Sequence, residues 1–308
     1  MLIKFWEKAG EGLAGLWSSW VLTPAAAFWG LALLAWVQRN GFDKLTNWIQ
    51  TLDPTVGIVL LIALVFLLAV SAELAQRAIN PLLRYAEGYW PGWLDSLRGW
   101  LADRAYNTYQ KQYAEWETLD QAFGEKGDLP VHQAMRYARL SQVLSGYPTD
   151  RRFFMPTGFG NRLRAAEEYP QLRYGLDTDL VWPRFWLVIP KTTRKELASA
   201  RQSIDEATLL LFWGILFLAW IWLSAWVIAP SLLVVIFAAW QLNAAAESYG
   251  QLVRAALDLH RFELYDAMHW PRPKKPAEEP SDGAALCQYL RYNKSAGGFE
   301  FISNVKQK

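Results

Sequence analysis

Cysteine and histidine are scarce in this sequence of 308 residues, and their scarcity excludes several kinds of chemistry. Cys287 is the single cysteine, so the chain forms no intrachain disulfide and no cysteine-based metal cluster. Of the three histidines, His260 and His269 lie nine residues apart, too far to share one helical face as metal ligands. They form no recognisable Ser/His/Asp or Cys/His arrangement. We therefore expect no metal, no cofactor and no catalytic residue.

Charge is also sparse, at 19% of residues, and it vanishes from one long stretch. Leu209–Ala246 contains no charged side chain at all. The net charge is only +2, with Asp and Glu interleaved among Lys and Arg rather than separated from a basic stripe. This balance predicts no nucleic-acid partner.

Long apolar runs predict four membrane-spanning helices. A run of about 20 apolar residues, at about 1.5 Å of rise each, matches the hydrocarbon thickness of a bilayer. Because proline lacks an N–H donor and clashes inside a helix, Ala229-Pro230-Ser231 predicts a turn between two of them. The expected spans are 17–37, 56–75, 209–227 and 232–250. The predicted fold class is all-α: a polytopic membrane protein with four transmembrane helices and a helical cytoplasmic region.

The first apolar run predicts a span that is kept rather than a signal that is cleaved. Leu13–Val37 is too long for the apolar region of a signal peptide and lacks a small-residue cleavage site. Four spans place both termini and residues 78–206 on one side. Residues 78–206 and 247–308 hold 26 of the 31 Lys and Arg, whereas the 38–54 loop holds two. The positive-inside rule makes the basic side cytoplasmic.

These features divide the chain into four parts. Residues 1–77 hold the first pair of spans, and residues 78–206 form a cytoplasmic helical region. Residues 207–270 form a transmembrane hairpin with a cytoplasmic helical extension. Residues 271–308 form a linker and tail, and the proline-rich, charged start of this part, 271–283, is typical of a disordered segment.

Within residues 78–206, two patterns predict helices with different surroundings. Trp93, Leu97 and Trp100 recur on one face of a helix that Pro91 opens, which is typical of a helix lying in the membrane interface. A further helix is expected from Pro130 to about Leu144. Between them runs an aromatic stripe at helical spacing, which we interpret as a bundle core or a subunit contact rather than a ligand site: Tyr106, Tyr109, Tyr113, Trp116 and Phe123.

The densest polar segment is a candidate anion site. Glycines ahead of a helix that begins with arginines can present backbone N–H groups to a phosphate or an anionic lipid headgroup. No lysine follows as in a phosphate-binding P-loop, and an i,i+4 pair of Arg164 with Glu168 is a structural alternative. The candidate residues are Arg151, Arg152, Gly158, Gly160, Arg162 and Arg164.

Three other sets of polar residues have structural and functional interpretations. Gln241 and Asn243 in the fourth span predict interhelical polar contacts, since amides there usually bond across helices. Asp177-Thr178-Asp179 resembles the short acidic motif of metal-dependent sugar transferases, but nothing else in the chain matches such an enzyme. On the extension of the fourth helix, docking to the 78–206 region is expected for His260, Arg261 and Tyr265.

Four stretches together resemble a group of bacterial multi-pass inner-membrane proteins of uncharacterised activity. They are NPLLRYAEGYWP (80–91), PTGFGNRLRAAEEYPQLRYGLD (156–177), VWPRFWLVIP (181–190) and DLHRFELYDAMHWPRP (258–273). The resemblance covers most of residues 78–290 in order. It implies a location in the bacterial inner membrane, and it implies no activity, ligand or catalytic residue.

Three functional hypotheses of different classes follow. The first is a non-enzymatic membrane assembly or effector, a homo-oligomer in the lipid bilayer whose cytoplasmic region receives a protein partner or a signal. The second is an ion-permeable channel or pore formed by such an oligomer, because apolar and small residues can line a pore. A scarcity of ionisable residues within the spans argues against an ion-coupled transporter. The third is an enzyme acting on lipid-linked substrates, with Arg162, Arg164, Asp177 and Asp179 as its candidates.

Overall fold

The computed structural model describes residues 22–293, and within that range all regular secondary structure is helical, with no β-strand. The beginning of the expected first span, before residue 22, and the end of the tail, after residue 293, lie outside the described residues. In chain order the α-helices are α1 Leu22–Asn40, α2 Phe42–Thr51, α3 Pro54–Arg77, α4 Ile79–Glu87, α5 Asp95–Lys126, α6 Val131–Leu144, α7 Gly158–Tyr174, α8 Thr178–Val188, α9 Lys191–Leu216, α10 Ile228–Ala267 and α11 Glu279–Tyr292.

Three helical stretches within residues 22–293 are long and apolar enough to cross a membrane. They are Pro54–Arg77, Lys191–Trp220 and Ala225–Ala267. Helix α3 shows most clearly why a bilayer is needed, because its exposed side chains are apolar: Ile62 is 63% and Phe66 69% exposed. Surfaces of this kind are stable against hydrocarbon rather than water.

The turn of the hairpin lies earlier than the sequence predicts. Helix α9 ends at Leu216, two short 3-10 helices follow over Phe217–Trp220 and Ala225–Val227, and α10 then begins at Ile228. The expected turn at 229–231 is therefore wrong, and Pro230 is the third residue of α10. Proline is tolerated there because the first four N–H groups of a helix have no partner within it.

Side chains from the end of α1 bind the turn between α9 and α10. Arg39 donates a hydrogen bond of 2.8 Å to the carbonyl oxygen of Trp222, and the hydroxyl of Ser224 donates one of 3.1 Å to Gln38. Ser224 has extended backbone dihedrals, which interrupt the helix at this position. These contacts satisfy polar groups that the interruption of the helix would otherwise leave free.

The hairpin helices approach each other closely at a small residue. Gly214 of α9 has no room for a side chain, because an added Cβ would lie 2.9 Å from a methyl group of Val234. The fully buried Ser231 donates a hydrogen bond of 2.5 Å to the carbonyl oxygen of Gly214. Small residues that allow backbones to approach, together with a hydroxyl bonded across the helices, are typical of packing inside membranes.

The chain divides into two compact units. The first ends at Leu83 and resumes over Asp205–Leu242, and its core joins α1 to α3 and to the end of α9 through small and aromatic side chains, including Ala35, Ala75 and Phe28. The second contains Arg84–Ile204 and the chain from Asn243 onward. Helices α9 and α10 contribute residues to both units.

In the second unit, α5 and α6 form an antiparallel hairpin, and the predicted aromatic stripe of α5 packs against α6. The rings of Trp116 and Tyr137 stack 5.8 Å apart, and the indole N–H of Trp116 donates to Ser141 at 2.8 Å. Arg136 binds Glu115 through two hydrogen bonds of 2.7 and 2.8 Å. The stripe is therefore a packing face, as expected, and the predicted helix from Pro130 to Leu144 is confirmed.

The main core of the second unit lies between α7, α8, α10 and α11. Its fully buried side chains include Leu176, Phe185, Leu257, Tyr265 and Leu286. Helix α11 begins at Glu279, so the expected disorder of 271–283 is wrong for 279–283.

Three features explain why this charged, proline-containing segment is helical. Pro280 lies in the first turn, where proline is tolerated, and Glu279 and Asp282 place negative charge at the helix N-terminus. Gly283 lies so close to α7 that an added Cβ would be 1.9 Å from the carbonyl oxygen of Tyr174.

Candidate functional site

The start of α7 is held against the end of α4 by its own capping residue. Thr157 accepts a hydrogen bond from the N–H of Gly160 at 3.0 Å and donates its hydroxyl to the carbonyl oxygens of Ala86 and Glu87 at 2.8 and 3.0 Å. Gly160 lies so near that an added Cβ would be 2.1 Å from the Glu87 oxygen. Gly158 and Gly160 are thus part of the first helical turn rather than a loop ahead of it.

Asn161 fixes the segment that enters α7. Its side chain is 2% exposed, and its amide donates to the carbonyl oxygens of Met155 and Thr157, both at 2.9 Å. Its oxygen accepts from the N–H of Met155 at 2.8 Å. The N-terminal turn of α7 is therefore engaged in contacts that position the chain.

The four arginines predicted to bind an anion have protein partners in the structure. Arg151 pairs with Asp103 at 2.8 Å, and Arg152 pairs with Asp150 at 2.5 Å. Arg162 donates to Asn243 at 2.8 Å. Anion binding by these residues stays a prediction, and of the four only Arg164 lines one of the two clefts described below.

Arg164 pairs with Glu167, at 3.0 Å, and with the hydroxyl of Tyr89. The expected pair of Arg164 with Glu168 is wrong, because the buried Glu168 carboxylate binds the segment at Thr149 and Asp150 instead. Glu168 accepts hydrogen bonds from the N–H and hydroxyl of Thr149, at 2.7 and 3.1 Å, and from the N–H of Asp150 at 3.3 Å.

The other predicted polar residues have separate roles. Asn243 makes the expected interhelical contact, since Arg162 belongs to α7 and Asn243 to α10. Within residues 22–293 the structure gives no side-chain hydrogen bond to Gln241. Asp177 pairs with Arg291 of α11. His260 contacts Thr193 at 3.3 Å.

The expected docking of the α10 extension is found in the second unit. The guanidinium of Arg261 lies 4.4 Å from the ring centre of Tyr174, and Tyr265 is fully buried. Among residues 22–293, no group of three or more His, Cys, Asp or Glu side chains could hold a metal ion.

A pair of adjoining clefts is the best candidate for a functional site. One has a volume of about 230 Å³ and the other about 210 Å³, and they share Glu167, Thr178 and Asp179. The helices that line the larger cleft are α4, α7, α8, α9 and α10. The polar and aromatic side chains of the larger cleft are Glu87, Glu167, Thr178, Asp179, Trp182, Arg201 and Tyr249.

Two carboxyl groups of the larger cleft, those of Glu167 and Glu87, are partly shielded from solvent. Loss of solvent raises the pKa of Glu167 against the attraction of Arg164, and the nearby charges of Asp179 and Glu87 raise it further. The Glu167 side chain is 46% exposed, so this rise in pKa is not a sign of full burial. Loss of solvent likewise raises the pKa of Glu87, against attraction from Arg201 first and Arg164 second. Carboxyl groups with raised pKa values are frequent at functional sites.

Sequence reasoning found Arg164 and Asp179 but missed Glu87, Glu167 and Arg201. These residues belong to three helices that are far apart in sequence, so no local spacing connects them. Glu87 and Glu167 do lie within the stretches 80–91 and 156–177 that the sequence analysis singled out.

Adjacent glutamates on α7 are expected to respond oppositely to neutralisation. Glu167→Gln should leave the melting temperature at pH 7.5 unchanged or raise it, because a raised pKa means that folding opposes ionisation of this group. The difference from wild type should shrink as the pH falls and Glu167 itself becomes protonated. Glu168→Gln should destabilise the protein by about 1–3 kcal/mol, because two backbone N–H groups lose a charged acceptor. Melting curves of both variants from pH 7.5 to 5 check this, and a loss of stability in Glu167→Gln would contradict it.

Comparison with protein-family models, with curated proteins and with solved structures gives no match for this chain. Residues 22–293 thus form a helical protein with three helices long and apolar enough to cross a membrane, and its second unit contains a cleft lined by charged side chains.

Proposed function

We propose that the protein is a non-enzymatic effector of the bacterial inner membrane that assembles as a homo-oligomer and receives a cytoplasmic protein partner or signal through its second unit. The observation that carries the proposal is apolar surface outside the candidate spans. Trp93 is 81%, Val131 78% and Met135 70% exposed, although the unit has a well-packed core. Large exposed apolar side chains grouped on one face are typical of interaction surfaces.

The first exposed group suits the membrane interface. Trp93, Leu97 and Trp100 lie at the start of α5 and the short 3-10 helix before it, and their exposed fractions are 81%, 45% and 57%. Indole rings favour the headgroup level, where the ring is buried and its N–H remains hydrated. This face is assigned to lipid.

The second exposed group suits a second copy of the chain. Val131 and Met135 are one turn apart on α6, so their side chains share a face of the α5–α6 hairpin. Copies held in the same bilayer present this face at the same height, which favours a symmetric contact between identical surfaces. Such an assembly would bring several second units together, as an effector that responds to a partner requires.

The enzyme alternative receives less support from the geometry. Three of its four candidates are paired, Asp177 with Arg291, Arg162 with Asn243, and Arg164 with Glu167 and Tyr89, whereas Asp179 lines both clefts. A substrate would have to displace these protein partners before it could contact the side chains.

A charge placed on the α6 face is expected to break the oligomer. Met135→Arg should convert the purified protein to monomers, because burying an unpaired guanidinium in an apolar contact is costly. Gln110→Arg adds the same charge at an exposed position of α5 and should leave the oligomer intact. Light scattering of both variants in detergent provides the test. A wild-type monomer, or an oligomer that persists in Met135→Arg, would contradict the proposed assembly.

The fourth span and the cytoplasmic termini are part of the proposal and have their own test. In a Cys287→Ser background, an impermeant maleimide applied to intact cells should label Lys44→Cys and fail to label Lys8→Cys or Glu125→Cys. Residue 44 follows the first span and residue 125 lies in the second unit, so they report opposite sides. Labelling of Lys8→Cys from outside would show that the chain crosses the membrane three times.

A further inference from the structure

Helix α2, Phe42–Thr51, carries its apolar and polar residues on opposite sides. At about 100° of rotation per residue, its four apolar residues fall within about 120° of the helix circumference: Phe42, Leu45, Trp48 and Ile49. The other six positions are polar: Asp43, Lys44, Thr46, Asn47, Gln50 and Thr51. A helix with this pattern is stable where one side is buried and the other is hydrated.

The apolar side of α2 is largely uncovered within residues 22–293. Phe42 is 65%, Trp48 53% and Ile49 54% exposed, and no residue of the helix is buried. Four side chains are also few for a protein partner, because each side of a stable protein interface contributes about 20–30 residues. The apolar side of α2 is therefore too small to hold another protein by itself.

The start of α3 fixes how far α2 can lie from a membrane. Helix α3 is one of the candidate spans, and its apolar run begins at Val56, whereas the charged Asp53 three residues earlier is exposed. Because a charge is costly in hydrocarbon, the edge of the hydrocarbon layer falls between these two residues. Thr51, the last residue of α2, precedes Asp53 by two residues, or at most about 7 Å of extended chain. The end of α2 therefore lies at the level of the lipid headgroups.

The chain turns at both ends of α2, so this helix continues neither of its neighbours. Gly41 joins it to α1 with a φ of +88°, a conformation that residues with a side chain rarely adopt. At the other end Leu52 is extended, with a φ of −74° and a ψ of 128°. Pro54 then opens α3 and favours an extended residue before it.

We propose that α2 lies in the headgroup layer beside the start of α3, with its apolar side against the acyl chains and its polar side in water. Its partner is a lipid surface of any charge, because Asp43 and Lys44 leave the helix without net charge. Trp48 suits this layer, since an indole ring is buried there while its N–H stays hydrated. The inference goes beyond the proposed assembly, and it rests on α3 as a span rather than on the homo-oligomer.

Spin labels on single cysteines in the full-length protein test this placement. In a Cys287→Ser background, Ile49→Cys and Asn47→Cys place the label at exposed positions on opposite sides of α2, and Ile62→Cys places it within α3. In phosphatidylcholine vesicles, collisions of the label with oxygen, an apolar molecule that enters the bilayer, are compared with collisions with a water-soluble nickel complex. The ratio of oxygen to nickel collisions should be severalfold higher at residue 49 than at residue 47, and high at residue 62.

The contrary results separate failure of the proposal from failure of the span. Equal ratios at residues 49 and 47 would overturn the placement of α2, and so would a label at residue 49 that neither reagent reaches, because protein would then cover this side. A ratio at residue 62 that favours nickel would contradict α3 as a span. Addition of phosphatidylglycerol should leave the difference between residues 49 and 47 unchanged. A difference that appears only with this anionic lipid would refute burial of the apolar side as the cause and assign binding to Lys44.

Discussion

Gly160→Ala is expected to destabilise the protein by about 3 kcal/mol or more. The added Cβ would lie 2.1 Å from the carbonyl oxygen of Glu87 and 2.9 Å from the Cβ of Met155. Both neighbours are main-chain or near-main-chain atoms, so α7 would have to move away from the end of α4. That movement would also lengthen the hydrogen bonds from the Thr157 hydroxyl to the carbonyl oxygens of α4.

Gly124→Ala is the matched control for this substitution. Gly124 lies in α5 with no atom within 4 Å of an added Cβ. There alanine should stabilise the helix by about 0.5–1 kcal/mol, because it restricts the unfolded chain. Thermal melting of the two variants in the same detergent checks the prediction, and equal melting temperatures would show that α7 does not approach α4 as described.

Glu279→Ala is expected to release α11 from the second unit, at a cost of about 3–5 kcal/mol. Glu279 is 6% exposed and its carboxylate pairs with Arg261 at 2.5 Å. The Arg261 side chain is 17% exposed, so loss of the carboxylate would leave a guanidinium with little access to water. Hydrogen–deuterium exchange over residues 279–292 should rise sharply.

Glu278→Ala provides the comparison at the neighbouring position. Glu278 pairs with Lys275 at 3.3 Å, and the two side chains are 47% and 73% exposed. Exposed ion pairs of this kind contribute about 0–1 kcal/mol, so exchange in α11 should change little. Similar exchange in the two alanine variants would mean that the buried pair does not hold α11 in place.

The helices that could be predicted from the sequence are those with a strong local signal. Helix α3 is an uninterrupted apolar run, α6 follows a proline, and the aromatic stripe of α5 has helical spacing. The hairpin turn was misplaced because Pro230 was interpreted as a helix breaker, whereas in a first turn proline is compatible with the helix. Contacts of Arg39 and Gln38 with the turn join residues more than 180 positions apart, which no local pattern shows.

The candidate site was harder to predict than the helices for a related reason. Dense arginines and glycines between residues 151 and 164 indicated an anion site, but their roles depend on tertiary contacts. Gly160 allows α7 to approach the carbonyl oxygen of Glu87. Arg162 donates a hydrogen bond to Asn243, which lies 81 positions later in the chain. The cleft itself joins Glu87, Glu167 and Arg201 from separate helices. Only the folded chain brings these charges together.

The mass of the protein extracted with its native lipids tests the central claim of a membrane-embedded homo-oligomer most directly. Extraction with a styrene–maleic acid copolymer keeps the bilayer around the protein, and native mass spectrometry then counts the chains. The account predicts one dominant species containing two or more copies of the 35.3 kDa chain. A dominant species with a single copy would contradict it.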